Sequence, residues 1–86
     1  MYVVMVYDVA VERVARVLKV GRRYLTWVQN SVLEGELSPA QFARLKTDVA
    51  KVIELTDAVR FYVFPDRKFL RVETLGSSKN EPGQFL

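Results

Sequence analysis

Residues 2–7 (Tyr-Val-Val-Met-Val-Tyr) form an unbroken apolar run rich in β-branched and aromatic side chains, with Asp8 at its end. Such a run predicts a central strand buried on both faces. From Val11 to Tyr24 the period changes. Val11, Val14, Ala15 and Leu18 follow the spacing of an amphipathic helix, while Arg13, Arg16, Lys19 and Arg23 fall away from that stripe. Glu12 can pair with Arg16 one turn on, and Gly21 marks the frayed end of the helix. Between Leu25 and Leu37, Thr26-Trp27-Val28 and Val32-Leu33 predict two short strands around a Gln29-Asn30-Ser31 corner. Gly35 suggests a bulge or a close backbone approach.

Ser38-Pro39-Ala40-Gln41 is the clearest local signal. Ser38 and Gln41 form a capping box, and Pro39 occupies a helical position whose N–H would go unused. Phe42, Leu45, Val49, Val52 and Ile53 then make the buried stripe of a second helix ending near Leu55. Val59 to Phe64 alternates as a strand, Pro65-Asp66-Arg67-Lys68 is a turn, and Phe69 to Leu75 alternates again as a further strand. The order predicts an α+β, ferredoxin-like βαββαβ fold: an antiparallel sheet with two helices on one face and an additional C-terminal strand. Residues 1–76 would form this one domain. Residues 77–86 form a C-terminal segment whose last two residues, Phe85 and Leu86, are apolar and suited to docking on a partner.

Composition narrows the chemistry. The 86 residues contain neither Cys nor His, which removes disulfides, thiolate nucleophiles, imidazole bases and the commonest zinc ligands. Catalysis, if present, rests on carboxylates, Lys, Tyr or a hard metal ion. The net charge of +3 is a mild bias towards polyanions, concentrated in the first helix, where five basic residues face Glu12 alone. The N-terminal apolar run is too short for a signal peptide or a membrane span, so a bacterial or archaeal cytoplasm and no membrane partner are expected.

Three stretches in this order resemble the CRISPR-associated Cas2 family: Val6-Tyr7-Asp8 before a basic helix, Trp27-Val28-Gln29-Asn30-Ser31-Val32-Leu33-Glu34-Gly35, and Asp57-Ala58-Val59-Arg60-Phe61-Tyr62. Leu33 stands where the family usually has Phe. The resemblance implies a homodimer of ferredoxin-like subunits that works beside the Cas1 integrase in CRISPR spacer acquisition. It also implies a Mg²⁺-dependent endonuclease acting on RNA or duplex DNA, with Asp8 of both subunits as the catalytic, metal-binding carboxylate. Tyr7 and Ser31 would support that site. The C-terminal segment would pair with the other subunit's sheet. Alternatives are a non-catalytic scaffold bridging integrase subunits on DNA, and a ferredoxin-like regulatory or ligand-binding domain.

Read without the family, several of these residues have two meanings. Asp8 suits a helix N-cap as well as a metal ligand, and one carboxylate per chain is a poor Mg²⁺ site unless a dimer axis brings two together. Arg13, Arg16 and Arg23 read either as a solvated helix face or as a phosphate-binding stripe for nucleic acid. Trp27, Phe61, Tyr62 and Phe64 can stack bases, although packing in a core or a dimer interface explains them more simply. Glu34 and Glu36 are either a carboxylate pair or an ordinary solvent-exposed strand face.

Overall fold

A computed structural model of the chain describes residues 1–77. These form β1 (Tyr2–Asp8), α1 (Val11–Gly21), β2 (Thr26–Gln29), β3 (Val32–Glu36), α2 (Pro39–Ala50) and β4 (Ala58–Phe64), followed by one 3-10 turn at Arg67–Phe69. The strands pair antiparallel in the order β2-β3-β1-β4, the ferredoxin-like arrangement. The most continuously apolar segment thus takes a central position. Val3, Met5 and Tyr7 of β1 and Leu33 of β3 point to the helix side. There they bury themselves against Val17 and Val20 of α1 and Leu45 and Val49 of α2. Each large side chain so buried contributes roughly 1.5–3 kcal/mol. The opposite face carries Tyr2, Val4, Val6 and Asp8 of β1 beside Arg60, Tyr62 and Phe64 of β4, and it is only partly covered. The first strand is therefore fully buried on one face rather than on both.

Local signals place the helix ends. The capping box forms as expected: Ser38 Oγ accepts the Gln41 N–H at 3.1 Å, and the Gln41 side chain accepts the Ser38 N–H at 2.8 Å. α2 stops at Ala50, before the expected Leu55, and Val52 and Ile53 reach the core from the following turn. Gly21 closes α1 as a contact point rather than a frayed end. A Cβ there would lie 3.0 Å from Leu33 Cδ2 and 3.6 Å from Met5 Sδ, so its absence lets the helix settle onto the sheet. The bulge lies not at Gly35 but on the neighbouring strand, between Trp27 and Gln29, while at Gly35 a Cβ would lie 3.7 Å from the Leu25 Cα.

Two expectations fail. The buried face of α1 is Val17, Val20 and Gly21, with Arg13 partly buried beside them and Leu18 of the expected stripe packed at the core margin, whereas Val11 is 86% exposed and Val14 and Ala15 face outward. The helix is rotated by about a third of a turn from the face its apolar spacing favoured, and Arg13 goes inward. The strand expected over Phe69–Leu75 is also absent. After the Arg67–Phe69 turn the chain has no ladder partner among the described residues. It runs beside the half-open face instead, where Val72 borders the same open clefts as Tyr2, Val28 and Glu34. Alternation makes a strand only where a neighbour offers hydrogen bonds. The outer edge of β4 is likewise unpaired among the described residues. The expected docking of Phe85 and Leu86 lies outside the described residues.

Candidate functional site

Asp8 is the last residue of β1, paired across the ladder with Ala58, and it is exposed on the half-open face. It does not cap α1. The N-cap position is Ala10, with no side-chain cap hydrogen bond. Among the described residues the Asp8 carboxylate makes no hydrogen bond and no ion pair, so its oxygen lone pairs are uncommitted.

The N–H that a cap would satisfy is taken by another carboxylate. Asp57, just before β4, accepts the Ala10 N–H at 2.9 Å and the Glu54 N–H at 2.9 Å. It also accepts Nε and Nη2 of Arg13, at 2.6 and 3.0 Å. The remaining Arg13 nitrogen, Nη1, reaches Glu54 Oε2 at 2.6 Å. Only 1% of the Asp57 side chain is exposed. The Arg13 guanidinium, helped by the Glu54 and Ala10 N–H groups, holds the Asp57 carboxyl well below the usual carboxylate range. A bidentate, charge-assisted contact of this kind is among the stronger side-chain interactions. Arg13 is therefore committed to Asp57 and Glu54 inside the fold and does not stand with Arg16 and Arg23 as expected.

Arg16 and Arg23 do stand together. With Lys19 and Lys51 they line an open groove of about 400 Å³ between α1 and α2, floored by Val20 and Val52. None of Arg16, Lys19 and Arg23 forms an ion pair among the described residues. Asp48, also in the groove, accepts the Tyr24 hydroxyl at 2.5 Å. This cationic groove lies on the helix side, across the sheet from Asp8.

Tyr7 and Ser31 act on backbone rather than on the Asp8 carboxylate. The Tyr7 ring is buried on the helix side, and its hydroxyl donates to the Asn30 carbonyl at 3.1 Å. Its N–H donates to the Ser31 carbonyl, also at 3.1 Å. Burial pushes the Tyr7 phenol up. Together these bonds pin the β2–β3 corner to the end of β1. Glu34 and Glu36 are each partnered, by the Tyr2 hydroxyl at 2.9 Å and by the Met1 amino group at 2.7 Å, and so form no open carboxylate pair. Phe61 packs edge-on against Phe42, with ring centroids 5.3 Å apart, and Trp27 joins the core margin. Tyr62 remains 47% exposed on the half-open face.

One residue near Asp8 was not singled out in the sequence. Arg60 faces the same side, one ladder step from Asp8, and its Nη1 lies 3.3 Å from the Tyr62 hydroxyl. The period-2 alternation of β4, which sets Arg60 opposite Val6 with Ala58 opposite Asp8, was the available signal.

The donor set bears on magnesium. Among the described residues no three Asp, Glu, His or Cys side chains gather into a metal cluster. At the end of β1, among the described residues, Asp8 offers one unpartnered carboxylate. That fits half of a Mg²⁺ site, because the ion takes one or two carboxylates and fills its shell with water.

These features define a ferredoxin-like α+β domain with a bare strand-end carboxylate on one face and a basic helix groove on the other. The chain belongs to the CRISPR-associated Cas2 family, whose sequence profile, CRISPR associated protein Cas2, matches residues 1–72. A CRISPR-associated endoribonuclease Cas2 from Thermotoga maritima is 57% identical over 84 residues, spanning 96% of this chain and 97% of that one. A protein of the same name from Methanosarcina acetivorans is 47% identical over the full length of both. Among solved structures, the Streptococcus pyogenes Cas2 crystal structure at pH 6.5 superposes with a TM-score of 0.77 at 38% identity, covering 88% of this chain and all of the other. Another crystal structure of Cas2 gives 0.86 at 43% identity, covering 100% and 98%. No helix among the described residues is long and apolar enough to cross a membrane.

Proposed function

We propose that this protein is a homodimeric, nucleic-acid-binding subunit of CRISPR spacer acquisition that works beside the Cas1 integrase and cleaves RNA endonucleolytically with Mg²⁺. The carrying observation is Asp8: exposed, unpartnered and freed of any capping duty, at the end of the central strand on a half-covered face. Apposing two such faces about a two-fold axis brings two Asp8 carboxylates towards each other and covers Tyr62 and Phe64. Mg²⁺, when bound, supplies positive charge at the scissile phosphate and a polarised water. The chain's own contributions are distinct. Asp8 provides the anionic oxygen ligand, and Arg60 beside it offers a cation for a neighbouring phosphate. The Arg16–Lys19–Arg23 groove holds the polyanion's backbone without reading its sequence. The relatives' name, endoribonuclease, favours RNA over duplex DNA as the substrate.

The test incubates the protein with labelled single-stranded RNA and duplex DNA, with and without Mg²⁺, beside Asp8→Asn. Since Asp8 caps nothing, the substitution leaves the fold intact. RNA cleavage that needs Mg²⁺ and vanishes in the variant is the expected outcome. The alternative is a scaffold that spaces integrase subunits on DNA. Duplex binding by both proteins with cleavage by neither would establish that reading instead.

A further inference from the structure

We propose that Asp57, clamped by Arg13, is a positioning residue for Asp8: the pair locks the strand exit that sets where the Asp8 carboxylate stands. The inference rests on the reading of Asp8 as the metal-holding carboxylate. The Asp8 side chain has no bond of its own among the described residues, so its position is fixed by its backbone alone. That backbone is gripped on one side by the ladder to Ala58 and on the other by the Ala10 N–H bond to Asp57. Asp57 directly precedes Ala58. One carboxylate therefore ties the residue next to Asp8's ladder partner to the residue two beyond Asp8. Arg13, on the first turn of α1, braces the same oxygens through Nε and Nη2, and Glu54 closes the ring from the loop side. The four donors match the four lone-pair directions of a carboxylate, which leaves Asp57 no capacity to ligate metal itself. Groups that orient a metal ligand in this way typically change metal affinity or activity by roughly 10–100-fold when removed.

The experiment titrates wild type, Asp57→Asn, Arg13→Lys and Asp8→Asn with Mn²⁺ as the probe, reading free Mn²⁺ by electron paramagnetic resonance. Titrations are run on folded dimer confirmed by circular dichroism and sedimentation. Mn²⁺ affinity about 10-fold weaker in both Asp57→Asn and Arg13→Lys, with kcat on RNA lowered and KM for RNA unchanged, is the result expected. Arg13→Lys retains the Asp57 carboxylate and loosens only the fork, so it separates positioning from ligation and tolerates poor folding of the Asn variant. Unchanged or tighter Mn²⁺ binding in Arg13→Lys would overturn the proposal, as would wild-type affinity in folded Asp57→Asn. Wild-type affinity in Asp8→Asn would show instead that the metal reading of Asp8 itself has failed, and the positioning role would fall with it.

Discussion

Asp8 and Asp57 sit at adjoining strand ends, one step apart across the β1–β4 ladder, and they are used in opposite ways. Asp57 is almost wholly buried and accepts four hydrogen bonds, while Asp8 is exposed and accepts none among the described residues. The difference is one of division of labour. A carboxylate saturated by protein donors is a structural clamp, and its saturation leaves its neighbour free to meet an external cation. Either role at full strength excludes the other, because the same lone pairs would be claimed twice.

The largest effect is expected at Asp8. Asp8→Asn should lower Mg²⁺-dependent RNA cleavage by about 100-fold or more, a metal site being worth several kcal/mol at the transition state. Its stability should stay within roughly 0.5 kcal/mol of wild type, as for most surface changes, measured by urea denaturation. Asp57→Ala should do the reverse in kind. Stranding the Arg13 guanidinium and the Ala10 and Glu54 N–H groups should lower Tm by on the order of 10 °C in a scanning calorimeter.

The pH dependence separates the two further. The folded-state pKa of Asp57 is depressed below its ordinary 3.8, so its contribution is fully present above that value and is lost as pH falls below it. Acid denaturation of Asp57→Asn should therefore show a flatter limb below pH 3.8 than wild type. Tyr2 supplies the opposite sign. Burial, and then the hydrogen bond to Glu34, push its phenol up from 10.0 to about 12. Its contribution is intact below the ordinary value and lost as pH rises through about 12. An absorbance titration of tyrosinate should lose its late phase in Tyr2→Phe. The smallest effect belongs to a cap that does serve its helix: Ser38→Ala should cost about 1 kcal/mol and leave cleavage unchanged.

What could be read from the sequence follows the range of the interactions. The Ser38–Gln41 box is complete within four residues, and it appears as written. The element order was legible too, because each period is a local property. The buried face of α1 was not. Two stripes overlap on that helix, and the one that packs inward includes Arg13, which is accommodated by Asp57 44 positions away. No pattern within the helix announces such a partner. Asp8 was found by resemblance and strand-end position, but its freedom from capping depended on the same distant carboxylate. The alternation over Phe69–Leu75 was real, yet a strand is a relation between two segments, and here the second segment is absent from the described chain.

The edge of β4, unpaired among the described residues, has a consequence for how the protein must be handled. Ala58-Val59-Arg60-Phe61-Tyr62-Val63-Phe64 has one charge, no proline and strongly strand-favouring side chains, the composition from which cross-β aggregates are built. A sheet edge of that kind is normally blunted by charge, proline or a covering segment, and here proline arrives only after the strand has ended, at Pro65. Whatever lies along that edge in an assembly also shields it, and variants that expose it should be the less soluble ones.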